Sequence, residues 1–309
     1  MQIDKGVYGA AQPEVAPYYL RKIWIPLLSE AFQQAIEECF VSSVAQRHQA
    51  ISSYTQAETL LLRELGLEGW QPPEPLAYQS TFRQAWGDGR LDAEFFKPRY
   101  SALQQKLSQD FDLKTLGELG QVLKGVTASY YDNGTVPIIR SGDLTDISDD
   151  ERFLRTHPTE AVFPLEWGDV LISSIGFGSI GKVQVFDKDG TYGTVSEVTV
   201  VRQNKINPYY LAFFLRSAFG QMQIEHYITG ATGQLHLYPK DVARILIPDI
   251  SEGKQQEYEH LALAAATARR QAKQLLEAAK RAVEVAIEDS EEAALALLAA
   301  RSSDGSGTE

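Results

Sequence analysis

The 309 residues include a single cysteine, Cys39. A disulfide framework and a cysteine-built zinc site are therefore excluded. Basic residues are in deficit: 29 Lys and Arg stand against 41 Asp and Glu, a formal net charge of −12. A protein that holds nucleic acid by charge alone carries a basic surface, so a free-standing, general nucleic-acid binder is excluded. No apolar run approaches the roughly 18 residues a membrane helix needs. The opening Met1-Gln-Ile-Asp-Lys-Gly6 lacks the basic-then-apolar layout of a signal peptide, so the cytoplasm is the expected compartment. Asn133-Gly-Thr135 reads as a turn rather than a glycosylation site. What is present is core-forming material, 44% hydrophobic and 10% aromatic, which excludes a disordered chain. At roughly 150 residues per domain the length allows one large domain or two ordinary ones.

The chain repeats itself at an offset of 222 residues. Ile23-Trp-Ile-Pro-Leu-Leu-Ser-Glu-Ala-Phe-Gln-Gln34 matches Ile245-Leu-Ile-Pro-Asp-Ile-Ser-Glu-Gly-Lys-Gln-Gln256. Carried back without gaps to Ala10 and Thr232, the match covers 25 positions. Nine are identical, namely Gln12, Pro17, Ile23, Ile25, Pro26, Ser29, Glu30, Gln33 and Gln34 and their partners. Each copy reads as a short apolar strand stopped by a proline. A Ser-Glu pair follows, suited to a helix N-terminus, and then a long helix.

The first helix is expected from Glu30 to Leu65, with Ile36, Phe40, Val44, Ile51, Tyr54, Leu61 and Leu65 on one face. Arg47 and Glu58 interrupt that seam. Gly66 and Gly69 end the helix and Pro72-Pro73 prevents its resumption. The second is expected from Gly253 to Ala286 or beyond, with a heptad seam of Leu261, Ala265, Ala268, Ala272, Leu275, Ala279, Ala282 and Ala286. Small seam residues let two helix backbones approach, and two long helices with related beginnings favour pairing with each other or with a partner. Residues 70–111 read as a connector with a lead-in helix. Residues 112–252 change character. Strands are expected at 135–139, 169–173, 182–186 and 197–201, separated by Gly, Asn and Asp turns, and a helix at 208–223. Residues 301–309 read as a disordered tail.

Several motifs invite chemistry and are better explained without it. Gly176-Phe-Gly-Ser-Ile-Gly181 satisfies G-x-G-x-x-G, but Lys182-Val-Gln-Val-Phe186 alternates like a strand where the fingerprint requires a helix. A glycine-rich hairpin is expected instead. Asn207-Pro-Tyr-Tyr210 is similar to the Asn-Pro-Pro-Tyr signature of adenine methyltransferases but lacks the second proline. An asparagine-capped helix with Pro208 at its first position explains it. His48, His157, His226, His236 and His260 include no pair at helical ligand spacing, so no zinc site is expected. Asp143, Asp146, Asp149, Asp150 and Glu151 lack the glycine and terminal glutamate of a calcium loop and read as solvated. No metal and no cofactor is expected. No Ser/His/Asp arrangement is supported by spacing.

Polar and aromatic residues on loops remain, of the types that read base edges from a rigid frame. They are Lys124, Thr127, Ser129, Tyr130 and Tyr131; Arg140 and Ser141; Ser173, Ser174 and Ser179; and Thr232, Gln234 and His236.

With the repeat and these loops together, the chain resembles the specificity subunit of Type I restriction–modification systems from residue 10 to about 288. The resemblance rests on Lys124-Gly125, Pro137-Ile-Ile-Arg-Ser-Gly-Asp143, the Gly168-Asp-Val-Leu-Ile strand running into the glycine turn at 181, Tyr210 to Leu215, Gly230 to Gln234, and Ile245-Leu-Ile-Pro248 leading through Gln255-Gln256 into a long helix. It implies an α+β target recognition domain of mixed strands and helices, flanked by two long helices pairing as an antiparallel coiled coil. It implies double-stranded DNA as ligand, two modification subunits carrying methyltransferase chemistry, and a restriction subunit carrying the nuclease. The chain itself is then non-catalytic. The family has two recognition domains, each reading half of a split site. Here residues 1–29 are the remnant of the first, 30–69 the first spacer helix, 70–111 the connector, 112–252 the recognition domain and 253–300 the second spacer helix. Such a chain is either the remainder of an interrupted subunit or a half-size form that pairs with a second copy of itself. A methyltransferase or nuclease acting alone, and a coiled-coil adaptor that binds protein, are the rival readings.

Overall fold

The computed structural model describes residues 2–9, 13–148, 150–160, 162–176, 178–203, 205–230 and 235–304. In chain order, strands β1 (Val7–Tyr8) and β2 (Glu14–Val15) precede helices α1 (Pro17–Leu20) and α2 (Glu30–Glu64). Then come α3 (Phe82–Asp88), α4 (Pro98–Leu107), β3 (Leu113–Thr115), α5 (Leu116–Leu119), β4 (Gly120–Lys124), β5 (Val136–Ile139), β6 (Leu154–Thr156), β7 (Phe163–Pro164), β8 (Val170–Ser173), β9 (Val183–Val185), β10 (Gly193–Thr194) and β11 (Val198–Gln203). Helices α6 (Pro208–Arg216), α7 (Ala218–Tyr227) and α8 (Pro239–Val242), strand β12 (Leu246–Pro248), and helices α9 (Glu252–Glu288) and α10 (Glu291–Asp304) complete the chain. Two units contain them, residues 1–48 with 268–309 and residues 49–267.

In the larger unit, β4-β11-β8-β9 form an antiparallel sheet. A second sheet, β6-β5-β10-β7, holds one parallel pair, β5 with β10. All four side chains of β8 are buried, as a run of Val-Leu-Ile without polar alternation demands. Val170 and Ile172 face the main core with Tyr210, Phe214, Leu215 and Ile247, and Leu171 faces a second core with Phe186, Val198 and Val200. Leu61 and Leu65 of α2 and Phe95, Tyr100, Leu103 and Leu107 of the 70–111 stretch join the main core. That stretch is therefore part of the recognition unit rather than a free connector. Its apolar residues are spaced too irregularly to announce a core face.

The helix expected over 208–223 breaks at Ser217. That residue is extended (φ −60°, ψ 158°) and caps α7 by accepting from Gly220 N. A Cβ on Gly220 would lie 2.1 Å from Phe214 O, so the tight packing of α6 on α7 depends on this glycine.

In the smaller unit, Phe32, Ala282 and Ala294 are the buried centre, with Leu28, Ile36, Val283 and Leu298 around them. Ser43 Oγ donates to Ala272 O at 2.9 Å. In the larger unit Lys254 meets Glu64 at 3.2 Å. Partners on α9 thus descend as those on α2 ascend, and the two helices pair antiparallel. Between Ser43 and Ala57 on α2, and between Ala262 and Ala282 on α9, their buried positions are small, including Ala50, Ala57, Ala265, Ala268, Ala272 and Ala282, which permits close backbone approach. The single helix expected over 253–300 is instead two. The chain turns at Asp289-Ser290, Ala293 N bonds Ser290 Oγ, and the Glu291 carboxylate returns to Ser29 Oγ and, at 2.9 Å, to Ser29 N. Helix α10 runs on to Asp304, so residues 301–304 are helical rather than a disordered tail; 305–309 lie outside the described residues.

The two copies of the repeat differ in one element. In the second, β12 pairs antiparallel with β3, Leu246 opposite Thr115. In the first, the expected strand at 23–25 does not form. A strand needs a ladder partner to satisfy its backbone, and among the described residues nothing equivalent to β3 stands beside it.

Candidate DNA-recognition face

Sheet register decides which candidate loops meet. Lys124 lies opposite Thr199 and Ser173 opposite Val198, so β4 and β8 end where β11 begins. The 124–131 loop leaves this end. Val126 bridges Val195, and a Cβ on Gly125 would lie 2.1 Å from Val195 O. Glycine is therefore required after Lys124 for the chain to pass. The 174–181 loop leaves the same end, with Gly176 at φ +106°, a conformation open to glycine. Ile175 bridges His236, and Leu237 N donates to Ser174 O, which brings residues 235–237, and Thr229 paired with His236, alongside. Glu197 ties the set together. Its backbone O accepts from Ser174 N and its carboxylate accepts from Ser141 Oγ at 2.6 Å. Glu197 was not among the candidates from sequence, because one acidic residue ahead of a strand carries no signal.

The candidates divide by exposure. Lys124, Thr127, Ser129, Tyr130 and Tyr131 are exposed. Tyr131 packs its ring on His157 at 4.6 Å and donates its hydroxyl to Glu160. Burial raises the Tyr130 hydroxyl pKa against the opposing pull of Arg140, so Tyr130 is a donor throughout the neutral range. Arg140 is half-buried and its Nε donates to Asp143 Oδ2 at 3.3 Å, the same oxygen that accepts from Arg140 N. Asp143 thereby aims the guanidinium. Ser179 is half-buried and donates to Ile175 O, and His236 stacks on Tyr238. Thr232 and Gln234 lie outside the described residues.

Three serines are corrected. Ser173 and Ser174 are fully or almost fully buried, and Ser174 Oγ is held by Ile172 O and Thr199 Oγ1. Ser141 is buried and spent on Glu197. A side chain within the protein interior cannot reach a base edge, so these serines shape the face and do not form it.

The glycine run and the Asn-Pro-Tyr-Tyr motif behave as expected. Gly176 to Gly181 leads into β9, the return strand of a hairpin with β8, and Asn207 caps α6 through Tyr209 N and Tyr210 N. Among the described residues no group of His, Cys, Asp or Glu is placed to hold a metal. The acidic loop is less solvated than its composition implies. Burial works against the charge on Asp150, but Lys188 at 2.5 Å and the Tyr192 hydroxyl outweigh it and hold the carboxyl pKa below its usual value.

Residues 108–260 match the family model described as Type I restriction modification DNA specificity domain. This part of the chain is a Type I specificity domain. The match takes in every candidate loop, the four-stranded sheet that gathers them and the start of α9. Among solved structures, the chain is similar to a Type-I restriction-modification system S subunit from M. genitalium. Identity is 15%, coverage 96% of this chain and 68% of that chain, and the TM-score 0.46. No curated protein matches. No helix among the described residues is long and apolar enough to cross a membrane.

Proposed function

We propose that the chain is a non-catalytic, cytoplasmic subunit of a Type I restriction–modification complex. In this reading its specificity domain reads one half of a DNA site, and modification and restriction subunits supply the chemistry. The observation that carries it is the convergence of the 124–131 and 174–181 loops, of Thr229 and residues 235–237, and of Arg140, at one end of one sheet in a domain of this family. Lys124, Tyr130, Tyr131 and Arg140 supply donors that suit base edges and phosphates. The two long helices are the docking surface for the modification subunits.

Residues 112–250 hold 12 basic and 17 acidic side chains, a net of −5. Backbone affinity then falls to the partner subunits, and the chain contributes base selection. The test is selection of a randomised duplex library by the assembled complex and by the full chain alone. The complex is expected to enrich one site and the lone chain to bind weakly. Lys124→Ala and Arg140→Ala are each expected to weaken site binding by the complex about tenfold, ~1.4 kcal/mol, as loss of one charged contact does. Equally tight binding by the lone chain, or indifference to both substitutions, sinks the proposal. Turnover of S-adenosylmethionine by the lone chain would instead favour the enzyme reading.

A further inference from the structure

Helix α3 is built without a core. None of its residues is buried, and Phe82 and Trp86 are 72% and 78% exposed. Gln84 and Asp88 line a cavity of about 380 Å³, which Tyr100, Leu107 and His226 also line. A helix this short does not stand alone in water. It is held at its ends, where Thr81 and Gln84 form a capping box and Gly89 closes the last turn at φ +64°. Packing therefore does not account for the element.

What α3 does is deliver two tethers. The Asp88 carboxylate accepts from Arg244 Nη2 at 3.1 Å. Arg90 forks onto both oxygens of Asp92, at 2.6 and 3.1 Å, and lies over the Phe95 ring. From there its Nη2 donates to Ile228 O at 3.3 Å. Asp92 is fixed in turn by accepting from Phe95 N. Ile228 immediately precedes Thr229, and Arg244 follows α8. Residues 88–92 thus grip the chain on both sides of Thr229 and residues 235–238. These gripping residues lie outside the 108–260 family match.

We propose that Asp88 and Arg90 are positioning residues for the recognition face. They clamp both ends of the stretch that carries Thr229 and His236, and so set how sharply that side of the face discriminates bases, without touching DNA. The clamp is a statement about this chain alone; its effect on discrimination rests on the DNA-reading role proposed above. Groups that read a ligand from a loop need a supporting shell to fix their aim. The bidentate Arg90–Asp92 fork is a rigid support. The Asp88–Arg244 pair has both partners exposed, so it adds little to global stability. Its loss is therefore local.

The experiment measures amide hydrogen exchange on the full chain. The reporters are Thr229, His236 and Leu237, whose N–H groups donate to His236 O, Thr229 O and Ser174 O. In Asp88→Arg, Arg244→Asp and Arg90→Lys these amides are expected to exchange about tenfold faster or more, by local opening. Lysine keeps the charge at 90 but cannot form the fork. The amides of β8 and β11 and the thermal midpoint are expected to stay unchanged, and the double exchange D88R/R244D to restore protection. In the assembled complex, D88R is expected to lose preference at some base positions of the selected site and keep it at others, with D88R/R244D recovering the full site. The proposal is overturned if the three amides stay protected, if β8 and β11 loosen equally, or if the double exchange restores nothing. It is also overturned if loosened variants select the site as sharply as the wild type. A wild-type complex that selects no site refutes the DNA-reading role instead, and the exchange rates alone then decide the clamp.

Discussion

His226 lies between two rings, stacked on Tyr100 at 4.3 Å and 16° and beside Phe95 at 4.3 Å. Burial, reinforced by Arg244 and Arg90, lowers its pKa to about 4, and the bond from the Phe95 backbone and the Asp88 charge do not restore it. The folded state holds this imidazole neutral where the unfolded chain, titrating near 6.5, takes a proton. Stability is therefore full above about pH 6.5 and lost as pH falls toward 4, by up to about 3 kcal/mol. Urea midpoints measured between pH 7.5 and 4.5 are expected to fall in the wild type. They are expected to fall less in His226→Phe, which keeps the stacking and removes the proton. Asp169 is a buried carboxylate whose two oxygens are clasped by Arg202, at 2.9 and 2.8 Å. Asp169→Ala leaves that guanidinium with the Pro164 carbonyl and exposed Glu166. A loss of about 3 kcal/mol in chemical denaturation is expected, as when half of a buried pair is removed.

Among the elements, what could be read from the sequence depended on how far neighbours decide the conformation. The buried strands β5, β8, β9 and β11 announce themselves as short runs of Val, Ile and Leu between turn residues. The break at Ser217 does not, because the apolar pattern of α6 continues into α7 and only the Gly220 approach to Phe214 enforces the corner. The first-copy strand is the reverse error. Ile23-Trp-Ile25 has strand composition, but a strand belongs to a pair, and composition cannot report an absent partner. The same limit applies to the face. Its loops could be named from composition, whereas Ser141 and Ser174 turn inward through contacts with Glu197 and Thr199 that are distant in sequence, and Ser173 is buried opposite Val198 in the sheet. The helix pair is testable at its narrowest positions. Ala282 is fully buried beside Phe32. Ala282→Leu is expected to cost about 1–3 kcal/mol by overpacking and Phe32→Ala about 3–5 kcal/mol by leaving a cavity. Both are read as shifts in thermal unfolding of the full chain.

For the molecule as a whole, charge sets the expected response to salt. With a net charge of −12 the lone chain neutralises few phosphates. The slope of log affinity against log salt is then expected to be shallower than about −3, at roughly 0.9 per phosphate contact. A steeper slope in a binding titration would show a basic footprint that the composition conceals. The repeat was the most informative feature visible in the sequence, since it located both long helices.

The closure of Ser29 on Glu291 spans 262 residues, and that of Ser43 on Ala272 spans 229. At about 5–20 residues per second of synthesis, the first long helix leaves the ribosome roughly 10–50 seconds before its partner exists. Throughout that interval its seam faces water. Phe32 and Leu61 are buried near its two ends, but between them Ser43, Ala50, Ser53 and Ala57 occupy its buried positions, so the middle of the seam offers little apolar surface to a chaperone or to another nascent chain. The residues that let the two helices pack closely at the end also keep the first one harmless while it waits.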